Sequence, residues 1–392
     1  MKNGFFDEGS CVLRAKINMS STNMNMRDPI MYRILKKKHH KTGSQWCIYP
    51  TYDWTHGQCD YIEQISHSLC SLEFENRRPL YNWYIDQIHD KKKIIPKQIE
   101  FSRLNLNNTI TSKRKIQYLI EKKIIKSWDD PRILTISGLR RKGYTSIALK
   151  NFIKKIGITK RNNIIDISLL EFRIREHLNK ITPRVMVVLN PVKLIIDNYS
   201  INLTEWIEAE NNPENPNYGN RKVPFSKFIY IEKEDFLEKQ QSNFFRLSIG
   251  KEVRLKNAYI IKANYIIKNN KGEIKEIHCT YDPQSKSMNK FIKKEQKRKI
   301  KSTLHWVSIK HSFPIEVNLY NFLFLKKNTY NTYINKKSKN KIIGYAEPYL
   351  KKAKKGDHFQ FQRIGYFYVE NSTIDNKIIF NKTVSIKNKW EK

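Results

Sequence analysis

The spacing of apolar residues changes once along this chain, at Pro183. Upstream, Leu149, Phe152, Ile153 and Ile156 recur at i, i+3, i+4 and i+7 and stop at Gly157. Leu170, Ile174, Leu178 and Ile181 share one face of a second run that ends before Pro183. Both patterns predict amphipathic helices whose apolar stripes are core. Downstream the spacing drops to two, as in Val192/Leu194/Ile196, Val253/Leu255 and Ile315/Val317/Leu319, with polar turns between. Short alternating strands of this kind predict β-barrels. One chain therefore carries two fold classes, α/β before Pro183 and all-β after it.

The first third has mixed character. Leu13-Arg14-Ala15-Lys16-Ile17 reads as a short strand, and Arg27-Asp28-Pro29 as the turn after it. Residues 46–56 read as a buried strand ending in a polar turn, and residues 59–69 as a helix. Ligands of α/β sheets bind at such strand ends. Taken alone, Tyr52 is also well explained as a satisfied tyrosine of a core strand. Taken alone, Thr111-Ser112-Lys113-Arg114-Lys115 is a solvated basic loop. Arg77 and Arg78 read as structural or surface residues, and residues 90–96, with Lys91-Lys92-Lys93, as a solvated loop.

At 392 residues the chain predicts two or three domains. Its formal charge of +37 implies a polyanionic partner, nucleic acid before membrane. Lys, Asn and Ile saturate the chain, so part of the lysine is compositional drift and only the sign of the charge carries weight. The lysine runs at 293–301 and 336–341 read as loops with non-specific phosphate attraction. Five cysteines, an odd number without a C-x-x-C pair, speak against a zinc ribbon or disulfide framework. The His278-Cys279 pair reads as barrel interior rather than a metal site. The first residues lack the apolar run of a signal peptide, and no apolar stretch reaches membrane-spanning length. A soluble cytoplasmic protein is the expectation.

Residues 100–144 bring three pieces into one order: Ser-Arg-Leu-Asn-Leu at 102–106, the basic loop at 111–115, and Trp128-Asp129-Asp130-Pro131-Arg132. This arrangement resembles the signature-loop region of class I aminoacyl-tRNA synthetases of the glutaminyl/glutamyl group. Residues 47–74, with Thr55-His56 and Cys70-Ser71-Leu72-Glu73-Phe74, are similar to glutaminyl-tRNA synthetases in particular, and the likeness runs from Phe6 to Trp390. The resemblance implies the C-terminal part of a Rossmann-like catalytic domain over 1–126, including the end of an acceptor-binding insertion. It further implies a helical tRNA-elbow domain over 127–182 and two anticodon-binding β-barrels over 183–392.

The same resemblance implies roles for individual residues. Tyr52, His56, Cys70 and Gln98 would hold glutamine. Ser71, Arg103, Leu104, Thr111, Ser112 and Lys113 would hold ATP, with Ser112 and Lys113 meeting the charge that develops on pyrophosphate. Arg254, Lys256, Asn257, Gln360, Gln362 and Arg363 would contact tRNA(Gln). Three departures stand out: Thr111 replaces the usual Met, Ser71 the usual Thr, and Gln362 an expected Glu. The implied cofactors are ATP and Mg²⁺, with no protein metal site. The family's His-Ile-Gly-His element has no counterpart; His39-His40-Lys41-Thr42-Gly43 does not fit it, and no P-loop or G-x-G-x-x-G replaces it. The catalytic domain is therefore expected to lack its N-terminal part. That leaves open a tRNA-binding remnant, or half of a split enzyme whose partner chain supplies the rest.

Overall fold

The computed structural model describes the chain except residues 91–92, 242, 288–299, 327–331, 373–377 and 388–392. Lys91, Lys92, most of the 293–301 lysine run and Trp390 thus lie outside the described residues. Two units form, Met1–Asn105 with Gly157–Ile165, and Leu106–Ile156 with Asp166–Lys392.

The first unit opens with an antiparallel sheet of β1 (Val12–Arg14), β2 (Ile30–Ile34) and β3 (Ile48–Pro50). Helix α1 (Tyr52–Ile62), strand β4 (His67–Ser71), helix α2 (Arg78–Ile88) and strand β5 (Lys97–Phe101) follow. β4 and β5 run parallel, from His67 opposite Lys97 to Ser71 opposite Phe101, so β4, α2 and β5 form a βαβ unit. Two expectations shift here. β3 is only half-buried, and the helix starts at Tyr52 rather than near Cys59, leaving Leu69 to a strand. Gly57 disguises this helix, because glycine weakens helix propensity. Its reason is packing: a Cβ there would lie 3.1 Å from Ile85 Cδ1 on α2.

Glu100, on β5, has no exposed side-chain surface, and its charge is matched from three sides. Arg78 Nε donates to Oε1 at 2.7 Å and Arg78 Nη2 to Oε2, Gln98 Nε2 donates to Oε1 at 2.8 Å, and Lys160 Nζ stands 3.5 Å away. The Arg78 hydrogen bond holds its carboxyl down to about 2, against burial that would raise it.

The second unit contains α3 (Lys113–Glu121), α4 (Ile136–Lys142), α5 (Ser146–Ile156) and α6 (Ile167–Ile181). α6 buries Ile167, Leu170, Ile174 and Leu178, while Ile181 lies at its half-exposed end. On α5 the buried pair is Ala148 and Phe152; Ile153, expected on the core face, is exposed because the stripe is narrower than the apolar pattern.

Beyond α6 the described residues build two seven-stranded sheets. In the first, the edge strands Thr303–Leu304 and Val307–Ser308 are separated only by His305 and Trp306. In the second, the edges Arg184–Val185 and Val187–Val188 are separated only by Met186. Opposite edges that are neighbours in sequence force each sheet to curl on itself, which gives two barrels and removes open edges. Leu194, Ile196, Val253 and Leu255 fill the first core, and Ile315 and Val317 the second, as alternation predicts. Of His278-Cys279, Cys279 is fully buried inside the first barrel. His278 faces the other way, stacked on Tyr265 at 4.4 Å with Nδ1 2.8 Å from Asp197. The second lysine run is a loop only up to residue 338; Lys339–Ala346 is a strand, with Lys341 paired to Glu316 at 2.7 Å.

The helices are fastened to the second barrel at the end of α4. Three successive carbonyls are capped by barrel side chains: Arg141 O by Asn381 Nδ2 at 2.9 Å, Lys142 O by Thr383 Oγ1 at 2.8 Å, and Gly143 O by His358 Nε2 at 2.9 Å. Such carbonyls have no partner within their own helix. Gly143 has φ +91° and packs so closely that a Cβ would fall 2.4 Å from Tyr368 Cβ. Left-handed strain and overpacking act together at that point, so Gly143→Ala should cost roughly 3 kcal/mol or more in urea denaturation. Glu100→Gln should cost roughly 2 kcal/mol at pH 7, less than a fully buried pair, because Arg78 stays partly in water. The folded carboxyl lies below its unfolded value, so the stabilisation is complete above about pH 5 and fades as pH falls toward 2. Denaturation at pH 7 and pH 3 should show the gap between wild type and variant narrowing.

Candidate functional site

The strand-end region of the first unit is built around Tyr52. Thr51 fixes the strand-to-helix junction, donating through Oγ1 to Ile30 O at 2.6 Å and through its backbone N–H to Met31 O at 2.8 Å. Tyr52 then opens α1 with its side chain 56% exposed. Its ring stacks on His56 one turn later (centroids 5.1 Å apart) and tilts against Phe74 at 5.3 Å. Partial burial, then the neighbouring Cys70, raises its hydroxyl pKa, so the phenol stays protonated and can both donate and accept.

Behind His56 stands a support that sequence reasoning missed. His56 Nε2 lies 2.9 Å from Ser68 Oγ and 3.2 Å from Asp60 Oδ2. Ser68 Oγ and Tyr81 Oη both donate to that same Asp60 oxygen, at 2.5 and 3.0 Å. Asp60, Ser68 and Tyr81 thereby fix the ring on which Tyr52 rests. Their only sequence signal was the i, i+4 spacing of His56 and Asp60.

Cys70 and Ser71 end β4. The Cys70 thiol points toward Ile99 O at 3.8 Å, and burial, reinforced by Glu100, raises its pKa, which keeps it an unreactive thiol. Ser71 Oγ donates to Glu73 Oε2 at 3.2 Å. Gln98 is buried and gives both amide hydrogens away, to Phe74 O at 3.2 Å and to Glu100 Oε1 at 2.8 Å. Only its oxygen is left to offer a ligand. Tyr52, His56, Phe74, Cys70 and Gln98 are thus joined through shared neighbours. Arg77 pairs with Asp53 at 2.9 Å and lies over the Phe74 ring, so Arg77 and Arg78 are both structural. Arg103 and Leu104 follow β5, and Leu104 is exposed.

Thr111, Ser112 and Lys113 belong to the second unit. Ser112 is the N-cap of α3 without a side-chain capping bond, and Lys113, Arg114 and Lys115 form the helix's first turn. Three cations at the positive end of a helix dipole oppose helix formation. The same arrangement attracts an anion, to which the unpaired N–H groups also point. α3 is held by Ile116 and Leu119, packed with Ile125, Ile133 and Leu323.

The six residues expected at tRNA fall into two groups on the barrels. Arg254 Nη1 donates to Ser285 O at 2.8 Å and Ser287 Oγ at 3.2 Å, and burial lowers its pKa. Lys256 is exposed, and Asn257 turns the chain with φ +60°. In the second group Gln360 is buried, its amide bonded to Tyr366 Oη at 2.8 Å and near Asn179 Oδ1 at 3.5 Å. Gln362 is half-buried, and Arg363 binds Asp235 of the first barrel. Residues 304–306 link the groups: Leu304 O accepts from Lys256 N, Trp306 Nε1 donates to Lys256 O at 3.0 Å, and His305 Nδ1 lies 3.2 Å from Arg363 Nη1. Asn179, Asp235 and His305 support these two groups, the last two from buried positions, and carried no local sequence signal.

Comparison with known proteins agrees along the chain. The family described as tRNA synthetases class I (E and Q), catalytic domain, matches residues 1–180. Two anti-codon binding domain families of the same class match residues 182–282 and 303–370. A protein of Clostridium perfringens named glutamine–tRNA ligase is 46% identical over all of this chain and 71% of its own length. Relatives of the same name from Clostridium kluyveri and Cronobacter sakazakii are 44% and 47% identical, again over all of this chain and 71% of their own. With whole-chain identity at this level and three domain families of one class matched in order along it, the chain belongs to the glutamine–tRNA ligases, class I synthetases of the E and Q type.

Proposed function

We propose that this chain binds glutamine at Tyr52, His56, Cys70 and Gln98 for ATP-dependent ligation to tRNA(Gln). The observation that carries the reading is the commitment of both Gln98 amide hydrogens to Phe74 and Glu100. An acceptor oxygen remains on Gln98, and the Tyr52 hydroxyl can accept or donate. A glutamine amide donates to one and pairs with the other. A glutamate carboxylate has no hydrogen to give and would leave an acceptor unpaired, which is how a polar pocket discriminates.

In this reading the glutamine carboxylate attacks the α-phosphate of ATP, giving glutaminyl-adenylate and releasing pyrophosphate. A ribose hydroxyl of the terminal adenosine of tRNA(Gln) then attacks the activated carbonyl and AMP leaves. Ser71, Arg103 and Leu104 contact ATP, as does the loop of Thr111, Ser112 and Lys113. The loop's cations and helix N-terminus answer the negative charge that moves onto pyrophosphate. Mg²⁺ would accompany the triphosphate and neutralise part of its charge. Among the described residues no group of three or more His, Cys, Asp or Glu side chains is placed to hold a metal ion. We assign residues 1–126 to the catalytic domain, 127–182 to the tRNA elbow and 183–392 to the anticodon. Arg254, Lys256, Asn257, Gln360, Gln362 and Arg363 are the assigned tRNA contacts. Five unpaired cysteines suit the reducing cytoplasm.

A second reading has an observation of its own. Among the described residues β4 pairs only with β5, and Leu69 on β4 is 64% exposed, with Ile62 and Ile99 also exposed. An open apolar strand edge invites pairing with another strand. In this reading the chain contributes tRNA recognition, and a separate polypeptide adds to β4 to complete the nucleotide site.

ATP–pyrophosphate exchange by the purified chain with glutamine and tRNA(Gln), alongside tRNA filter binding, tests both. Exchange is expected, and Lys113→Ala should lower it about 10²- to 10³-fold. Tyr52→Phe keeps the ring stack but should narrow the preference for glutamine over glutamate by tenfold or more (about 1.4 kcal/mol). Tight tRNA binding without exchange, with exchange restored by a second polypeptide, would favour the second reading.

A further inference from the structure

We propose that Asp235 is a positioning residue for RNA recognition, whose buried carboxylate presents one edge of the Arg363 guanidinium to the tRNA. The inference rests on the reading that Arg363 contacts tRNA and concerns what sets that contact up.

Arg363 sits in the turn between strands His358–Phe361 and Gly365–Ser372 with φ +68°, a conformation that favours glycine. Its guanidinium crosses to the other barrel. Nη1 and Nη2 donate to the two oxygens of Asp235, at 2.5 and 2.8 Å, and Nη1 also lies 3.2 Å from His305 Nδ1. Because arginine only donates, that His305 nitrogen must be the acceptor. The His305 proton then belongs on Nε2, which stands 3.3 Å from Glu232 Oε1. Glu232 in turn accepts from Leu189 N and Asn190 N, at 2.8 and 2.9 Å.

A guanidinium has five N–H groups, and these contacts use three of them. The two that remain, on Nε and Nη2, share one edge and form a parallel fork, the geometry that meets a phosphate or a base edge with two hydrogen bonds. Asp235 can therefore stay in place while RNA binds. Its side chain is 2% exposed and it also receives Arg246 Nη1 at 2.7 Å. Two guanidiniums share this one carboxylate, and both arginines are partly open to solvent. Without the carboxylate they would repel each other, and Arg363 would have to be ordered by the RNA itself, which weakens binding.

The alternative is that Asp235 occupies Arg363 in competition with RNA, and the two ideas predict opposite signs. Binding of a tRNA(Gln) transcript to the full chain would be measured for Arg363→Ala, Asp235→Asn and the double variant, at temperatures below the melting point of each. Both single changes should weaken binding by about tenfold, and the double should be no weaker than Arg363→Ala alone. Unchanged or tighter binding by Asp235→Asn, with Arg363→Ala weakened, overturns the proposal, as do additive losses. An Arg363→Ala variant that binds like wild type overturns the underlying reading and the inference with it. Arg363→Lys gives an independent check should Asp235→Asn fail to fold. Lysine keeps the charge and can reach Asp235 but has no second edge, so it should bind as weakly as alanine. Lysine binding as tightly as arginine overturns the proposal.

Discussion

The second unit depends on four residues buried on both sides. Val185 and Val187 point into the core of one barrel, Met186 and Val188 into the core of the other, and all four have no exposed surface. A single extended segment thus serves two hydrophobic interiors, and its alternation admits only one register, since a slip of one residue would exchange the two sets. The same segment supplies both edges of its own barrel and then continues as Pro191–Ile196 in the other. Glu232 holds the two backbone N–H groups at the crossing. Closure of the second sheet and the seam between the two barrels follow from that segment.

Buried charge is the second theme. Arg221 and Glu347 pair at 2.5 Å with almost no exposed side-chain surface, and Arg221 also donates to Glu210 O. Burial raises the pKa of Glu347 even so. Pairs of this kind add little net stability against apolar packing, but separating them strands a charge. Their effect here is to make one relative placement of the barrels far better than its neighbours. Recognition of a large, rigid RNA needs contacts that are spaced in advance.

Much of this was legible in the sequence wherever period decides structure. The stripe of α6 and the alternation at Val192, Val253 and Ile315 reappear as core, because burial follows spacing on a regular backbone. Where a long-range contact decides, local pattern is silent. Gly57 reads as a helix breaker until Ile85 is known to lie against it. Asp235, in a Lys-Glu-Asp turn, reads as a surface residue until Arg363, more than a hundred residues later, is folded over it. The places of Tyr52 and His56 on α1, Cys70 on β4 and Gln98 on β5 are visible in the fold, whereas their roles come from family resemblance and from how Gln98 spends its hydrogens.

The capping of α4 by the second barrel bears on how the protein is made. The carbonyls of Arg141 and Lys142 wait for Asn381 and Thr383, which leave the ribosome some 240 residues later. At ordinary elongation rates, about 5–20 residues per second, that gap is on the order of 10 to 50 seconds. During it the helix end has water as its only partner. The arrival of strand Ile378–Ser385 then completes the barrel sheet and seals a helix in the same event. Synthesis must pass Thr383 before the helical segment has its native neighbours, and a chain ended before that point would expose the helix end together with an open barrel.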